Sequence, residues 1–332
     1  MTTESRSTRP RVLVFERMDP TDASIRWLEQ QGLDLTLGRA MWQAPYDRYS
    51  RDEIVDAARG HVAVMGASGA RFTADVIGCL PDLKYISKFG VGVDTIDLEA
   101  ASARGILISN TPEESEVSDV AEHTVALILA LRKQLNRWTS DYMRAGGWRP
   151  GPFASSISGS KVGLIGLGHI GRAVARRFDG WNVHILGFDP YQSGTLPGVT
   201  ITDFETLLRE SDVISIHAGP TPANHHLIDE RALSKMKRDC ILINTARASL
   251  VDTNALCRAV EGGQIAGAGI DVFDEEPPDT SGRLFHIENI MVTPHAAAWT
   301  MKGLENIGWH AARNLVAMIT GQGHADVVNR FA

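Results

Sequence analysis

From Ser160 to Phe178 the chain reads SKVGLIGLGHIGRAVARRF, with glycines at 166, 168 and 171, and the next apolar run ends in GFDP, Gly187 to Pro190. Three spaced glycines alone are a weak signal, because a strand-turn-helix also uses glycine simply to turn tightly. Context decides. A dinucleotide fingerprint needs an apolar strand before it, a helix after it, and an acid about 20 residues further on to bind ribose hydroxyls. KVGLI supplies the strand, Gly166 the tight turn, Gly168 the close approach of backbone to pyrophosphate, and Gly171 the close packing of helix on strand. His169 and Ile170 open the helix, whose positive N-terminus would receive the pyrophosphate. Asp189 closes the following strand, where a carboxylate accepts hydrogen bonds from the 2′ and 3′ hydroxyls and repels a 2′-phosphate. NAD is therefore expected rather than NADP.

Working outward, the same alternation of short apolar strands and helices runs on both sides. Before the motif come RVLVF, DLTL, HVAVMG, KYISKFG and GILISN, separated by TDASIRWLEQQG with a Thr or Asp cap and a Gly stop, RDEIVDAARG, TADVIGCL and DLEAASARG. After it come NVHILGFDP, VISIHAG, CILINTA, QIAGAGIDVF and IMVTPHAA. Such alternation indicates parallel sheets covered on both faces, and two separate runs fit two doubly wound α/β domains. An apolar helical pattern from Ser118 to Arg137 lies between them, and the late stretch TMKGLENIGWHAARNLVAMITG most simply packs back on the first domain.

Composition bounds the partners. The chain has 332 residues, longer than one hydrophobic core usually serves, and its 43% hydrophobic and 22% charged content is that of a folded globular protein. The formal charge is −7, with no basic stripe for a phosphate backbone, so no nucleic acid is expected. The start is polar and frayed, and no run approaches the roughly 18 apolar residues of a membrane span, so the expected compartment is the cytoplasm with no membrane partner. Cys79, Cys240 and Cys257 form no ligand array, and no metal is expected.

A nicotinamide enzyme acting on an alcohol needs a general base for the hydroxyl proton and a cation to hold an anionic substrate and polarise the nascent carbonyl. Such groups belong after the cofactor-domain strands, at their carboxyl ends. Three segments qualify: ILINTARASLVD carries Arg247, GIDVFDEEPP carries Asp271 and Glu276, and MVTPHAAAWT carries His295. A nearby carboxylate raises the pKa of a histidine and stabilises its protonated form. Each residue also has an ordinary reading, as a salt-bridge arginine, a solvated acid or a histidine satisfying a buried hydrogen bond. Downstream of one cofactor motif, the three together make a reaction centre.

The segments FGVGVDTIDLEAASARGI, SNTPEES, VAEHTVALILAL, GLIGLGHIGRAVARR, NTARASLVD, GIDVFDEEP and TPHAAAWT together resemble the D-isomer-specific 2-hydroxyacid dehydrogenases, from about Val12 to the last helix. The superfamily includes phosphoglycerate, glycerate, D-lactate and formate dehydrogenases. The resemblance implies two Rossmann-like domains, the substrate domain formed by 1–109 and 297–332 and the NAD-binding domain by 110–296. It implies that Arg247 binds the substrate carboxylate and keto oxygen, that His295 is the general acid/base, and that Glu276 is its carboxylate partner. It further implies that Asp271 contacts the nicotinamide carboxamide and that Thr245 and Ala246 flank the nicotinamide ribose. Val91, Gly92 and Val93 correspond to the loop whose amides grip the substrate carboxylate, and His217 to Gly219 pass near the adenine or ribose. In relatives the 118–137 helix and the arm after it form a two-fold dimer interface, so a homodimer is expected.

Departures from the family pattern carry information about the substrate. Ala248 stands where relatives have glycine, which would strain the backbone if that position needs a positive φ. In GASGARFTADVI, Ala67 and Gly69 occupy places where relatives acting on phosphoglycerate carry arginines, leaving Arg71 as the nearby cation. The chain also stops soon after its last helix, without the regulatory domain that some phosphoglycerate enzymes append. The expected substrate is thus a small unphosphorylated 2-hydroxy or 2-keto acid, of glyoxylate or hydroxypyruvate type. Trp299 would place its indole on the substrate side chain or pack the domain junction. Glu276 disfavours formate oxidation, since that branch pairs its histidine with glutamine. The alternatives are a D-3-phosphoglycerate dehydrogenase with an atypical phosphate site and, from another class, a non-catalytic NAD(H)-responsive binding protein.

Overall fold

The computed structural model describes residues 9–42, 49–148, 153–192 and 194–329; the polar first residues, expected as a frayed tail, and the middle of the 146–160 loop lie outside the described residues. The contacts divide the chain into two compact units, 1–116 with 299–332, and 117–298. Both are α/β, and the first is discontinuous in sequence.

In the first unit, strands β1 (Arg11–Arg17), β2 (Asp34–Ala40), β3 (Ala63–Gly66), β4 (Tyr85–Lys88) and β5 (Leu107–Ser109) form a parallel sheet in the order β2-β1-β3-β4-β5. Successive side chains of a strand point to opposite faces. Leu13 and Phe15 of β1 accordingly join Val64, Ile86 and Ile108 in one core, while Val12 and Val14 join Met65 in another. The second core is closed by the helix Met301–Thr320, through Leu304, Ile307, Ala311 and Leu315, so the late helical stretch does return to the first sheet. Thr300 caps that helix by accepting the Gly303 amide at 2.9 Å, and Gly321 ends it in the left-handed region. The helix Ala23–Gln30 starts differently from the sequence reading. Asp22 makes no side-chain cap bond, and the buried Asp19 instead accepts the amides of Thr21 and Ser24, both at 2.8 Å. Its stop at Gly32, with φ +81°, follows the sequence.

The second unit holds β6 (Lys161–Ile165), β7 (His184–Phe188), β8 (Val199–Ile201), β9 (Val213–Ile216), β10 (Ile241–Asn244), β11 (Gly267–Ile270) and β12 (Ile290–Val292). Their order is β12-β11-β10-β9-β6-β7-β8, all parallel. The chain leaves β6 toward β7 and later returns to its other side with β9. That reversal opens a crevice at the carboxyl ends of β6 and β9, where ligands of open α/β sheets bind. One face packs Leu207, Ile214, Leu242 and Leu256, and the other packs Ile128, Val162, Leu164 and Val174. The long apolar helix occupies Glu114–Arg132, starting earlier and ending sooner than its sequence pattern. Strand β8 has no counterpart in the sequence reading. It is a three-residue edge strand with two exposed residues, too short and too polar in setting to show an apolar run.

Candidate active site

The glycine turn sits at the reversal point, directly after β6. Gly166 has φ +93°, and a Cβ built on it would lie 2.6 Å from the His217 carbonyl carbon, so only glycine fits. A Cβ on Gly171 would lie 2.1 Å from the Gly166 oxygen, which brings the helix His169–Arg177 tight against the strand. Gly168, the N-cap, is exposed and has nothing within 4 Å of its built Cβ. A bare, open backbone at the positive end of a helix is what a pyrophosphate requires, so the residues fit a dinucleotide. Ile170 is half-buried and His169 exposed beside it. Asp189, half-buried after β7, accepts the Leu167 amide at 2.8 Å and the Tyr191 amide at 2.9 Å, which fixes the carboxylate against the glycine turn. His217 follows β9 and bonds Ser215 Oγ through Nε2 at 2.9 Å; burial pushes its pKa down to about 3, so the ring is neutral.

Three further strand ends bring Arg247, Glu276 and His295 together. After β10, Asn244 shapes the turn, its side chain accepting the Ala246 amide at 3.0 Å and donating to the Arg247 carbonyl at 2.9 Å. Asn244 was not singled out in the sequence, although an Asn at a strand end is a turn-former through side-chain bonds of this kind. Arg247 is extended, and its guanidinium donates to the Ala246 carbonyl at 2.7 Å. Ala248 starts a 3-10 turn, Ala248–Leu250, and is not among the described non-glycine residues with positive φ, so the strain anticipated for it is not present. Thr245 is buried, its hydroxyl 3.0 Å from that of Thr124 on the long helix, while Ala246 is half-buried.

His295 Nδ1 lies 2.7 Å from Glu276 Oε2, and Glu276 Oε1 accepts the Phe273 amide at 3.1 Å. Burial would raise the Glu276 pKa, but the His295 hydrogen bond and charge, the Phe273 amide and the Arg247 charge together hold it below the usual carboxylate range. Burial would likewise lower His295, and the Glu276 hydrogen bond and charge, with Asp271 behind, more than reverse this, so the imidazole is raised above its ordinary 6.5. Arg247 acts on both members of the pair. The result is an acid/base pair biased toward its charged form and within electrostatic reach of the Arg247 guanidinium, with the His295 side chain 50% exposed.

Asp271 lies beneath this group. It is fully buried, and its carboxylate accepts the Thr293 hydroxyl at 2.6 Å and the amides of Ala296 and Ala297 at 2.9 and 3.0 Å. It therefore anchors the turn that carries His295. Thr293 donates to Asp271, so it accepts from His123 Nε2 at 3.0 Å; His123 joins this support from the long helix and carried no distinguishing signal in the sequence. His295 has φ +52°, an uncommon left-handed conformation for a residue with a side chain.

The other residues expected around a substrate belong to the first unit. Val91, Gly92 and Val93 form the loop after β4, with Val91 exposed and its carbonyl accepting from Asn110 Nδ2 at 2.8 Å. Trp299 is 44% exposed, just before the cap of the 301–320 helix. Among the described residues no group of His, Cys, Asp and Glu is arranged to hold a metal, and no helix is long and apolar enough to cross a membrane.

Comparison with known proteins places these features in context. The family model for the D-isomer specific 2-hydroxyacid dehydrogenase NAD binding domain matches residues 125–297. A glyoxylate reductase of Thermofilum pendens is 38% identical over 291 residues, covering 85% of each chain. A D-3-phosphoglycerate dehydrogenase of Archaeoglobus fulgidus is 34% identical over 323 residues, 96% of this chain and 59% of that one. The crystal structure of a D-lactate dehydrogenase from Aquifex aeolicus, complexed with NAD and lactic acid, superposes with a TM-score of 0.79 at 31% identity, covering 93% of this chain and 96% of that one.

Proposed function

The chain belongs to the D-isomer specific 2-hydroxyacid dehydrogenases, and from that premise we propose that Arg247, Glu276 and His295 carry an NAD-dependent interconversion of a 2-keto acid and its 2-hydroxy acid. The proposed substrate is unphosphorylated, of glyoxylate or hydroxypyruvate type. The observation that carries the assignment is the 2.7 Å contact between His295 and Glu276 beside Arg247, at strand ends that follow a dinucleotide turn. Binding alone needs no such acid/base pair.

Gly166, Gly168 and Gly171, with Asp189 toward the ribose, would hold NADH, which would supply the hydride for the keto carbon. Arg247 holds the α-carboxylate and the keto oxygen and draws charge toward that oxygen. His295, kept protonated by Glu276, gives its proton to the oxygen as negative charge develops there, and takes it back in the oxidation. Thr245, Ala246 and His217 are assigned to the walls of the cofactor site, and Val91, Gly92, Val93 and Trp299 to contacts with the substrate. The backbone amides of the 91–93 loop suit a carboxylate. We assign the protein to the cytoplasm as a homodimer, with no nucleic-acid or membrane partner; the formal charge of −7 and the exposed apolar segment after the long helix support this reading.

The deciding experiment is a panel of 2-keto acids with NADH and NADPH, followed by loss of reduced nicotinamide. NADH-dependent reduction of glyoxylate or hydroxypyruvate is the expected result. A protein that binds NADH and turns over none of them is a binding protein. The similarity to a D-3-phosphoglycerate dehydrogenase over 96% of the chain makes 3-phosphoglycerate the necessary comparison, and activity on it far above the others would assign the phosphorylated substrate.

A further inference from the structure

Within the first unit, the strand order β2-β1-β3-β4-β5 reverses between β1 and β3, so the binding crevice of this sheet opens at the carboxyl ends of those two strands. Glu16, near the end of β1, is fully buried there. Its carboxylate faces the loop after β3, accepting the Ser68 amide at 3.1 Å and the Gly69 amide at 3.4 Å. Burial raises the Glu16 pKa, outweighing the two amides, Lys88, buried at the end of β4 just before the 89–93 loop, and Arg39, its register partner on β2, all of which favour the charged carboxylate. The loop is built closely around it. Gly66 has φ +96°, and a Cβ there would lie 2.9 Å from Phe89 and 3.2 Å from Glu16 Oε2. Ala67, fully buried, is held in the left-handed region at φ +63°. Strain of this kind persists where surroundings over-determine it, and it clusters at ligand sites.

A buried carboxylate without partners is strongly unfavourable, and a sheet core does not need one. Two amides of the loop after β3 donate to Glu16, and the cations that act on it stand near the ends of β2 and β4. We propose that Glu16 is a positioning residue of the substrate-binding unit: it fixes the 66–69 loop and offsets the positive charge of Lys88 and Arg39, and so selects 2-keto acids with an uncharged side chain over those with an anionic one. The proposal rests on the function assigned above and names what sets its selectivity. It also provides a reason for Ala67 and Gly69. The loop needs no arginine for an anionic side chain, because the charge beneath it is balanced against one.

The test compares the wild type with Glu16→Gln and with Glu16→Gln combined with Lys88→Met, using glyoxylate and oxaloacetate as the two probes with NADH. Glu16→Gln keeps the size and one acceptor oxygen and, assayed at a pH above the raised Glu16 pKa, makes the crevice more positive by one charge. The ratio of kcat/KM for oxaloacetate over glyoxylate should then rise about fivefold or more, the scale of one unit charge several Å away near a protein surface. The double variant should bring the ratio back toward wild type, which a purely structural defect would not do. NADH affinity, which belongs to the other unit, should stay within about twofold. Independently of turnover, hydrogen exchange at Ser68 and Gly69 should quicken in Glu16→Gln, because an amide acceptor is weaker than a carboxylate. An unchanged ratio in an active Glu16→Gln enzyme overturns the selectivity role, and unchanged exchange at residues 66–70 overturns the positioning role. A wild type that binds NADH but reduces neither probe nor any other 2-keto acid refutes the assigned activity, and the exchange measurement then decides Glu16 alone.

Discussion

His295 meets two demands at once: its ring must pair with Glu276, and its backbone must hold a left-handed turn whose strain is of the order of 1–3 kcal/mol. Asp271 offsets that strain by gripping the two amides that follow. Removal of the imidazole is therefore cleanest with His295→Asn, since asparagine tolerates the left-handed region better than other side chains. Turnover should fall by about 10²–10⁴-fold. NADH affinity, measured by fluorescence, should hold. The pH dependence follows from the sign of the shift. Reduction uses protonated His295, whose pKa is raised above 6.5, so kcat/KM for the keto acid should fall as pH rises through that higher value, while the oxidation should rise over the same range. Glu276→Gln removes the group that raises it, and the falling limb should move to lower pH. A limb that stays in place would mean that Glu276 does not set the proton affinity of His295.

At the scale of elements, the glycine turn separates folding from binding. A side chain at Gly166 meets the His217 backbone and needs a forbidden φ, so Gly166→Ala should lower both Tm and NADH affinity. Gly168 is in ordinary extended conformation with open space around it, so Gly168→Ala should leave Tm within a degree or two while weakening NADH binding at least tenfold by intruding on the pyrophosphate. Equal thermal losses in both would show that the turn is only structural. The elements legible in the sequence were those whose signal is local: KVGLI before its glycines, the strands reading VISI and ILIN, and the motifs that place Arg247, Glu276 and His295 at strand ends. Elements set by tertiary contact were not. Strand β8 exists because it pairs with β7, Asp19 caps a helix from outside its expected start, and the His123–Thr293–Asp271 support joins residues 170 and 22 positions apart.

For the whole molecule, composition and the two alternations indicated two parallel-sheet domains, and the structure has two such units, the first assembled from both ends of the described chain. The segment after the long helix exposes Leu135, Trp138, Met143, Trp148 and Phe153, the last at 96%, a density of bare apolar side chains unusual for a monomer's surface. The proposed homodimer would cover it. Sedimentation at micromolar concentration should give about twice the 36.1 kDa chain mass, and Trp148→Asp combined with Phe153→Asp should shift the protein toward monomer. A wild type that sediments as a monomer removes that proposal.

The helix Met301–Thr320 completes the core that Val12, Val14 and Met65 begin, yet it lies some three hundred residues later in the chain, beyond all of residues 117–298. During synthesis the second unit emerges whole and continuous, whereas in the first the helix Ala23–Gln30 covers only part of the apolar face that carries this core until the last helix leaves the ribosome. The later unit can therefore complete its core before the earlier one, whose open face stays available to wrong contacts in the interval.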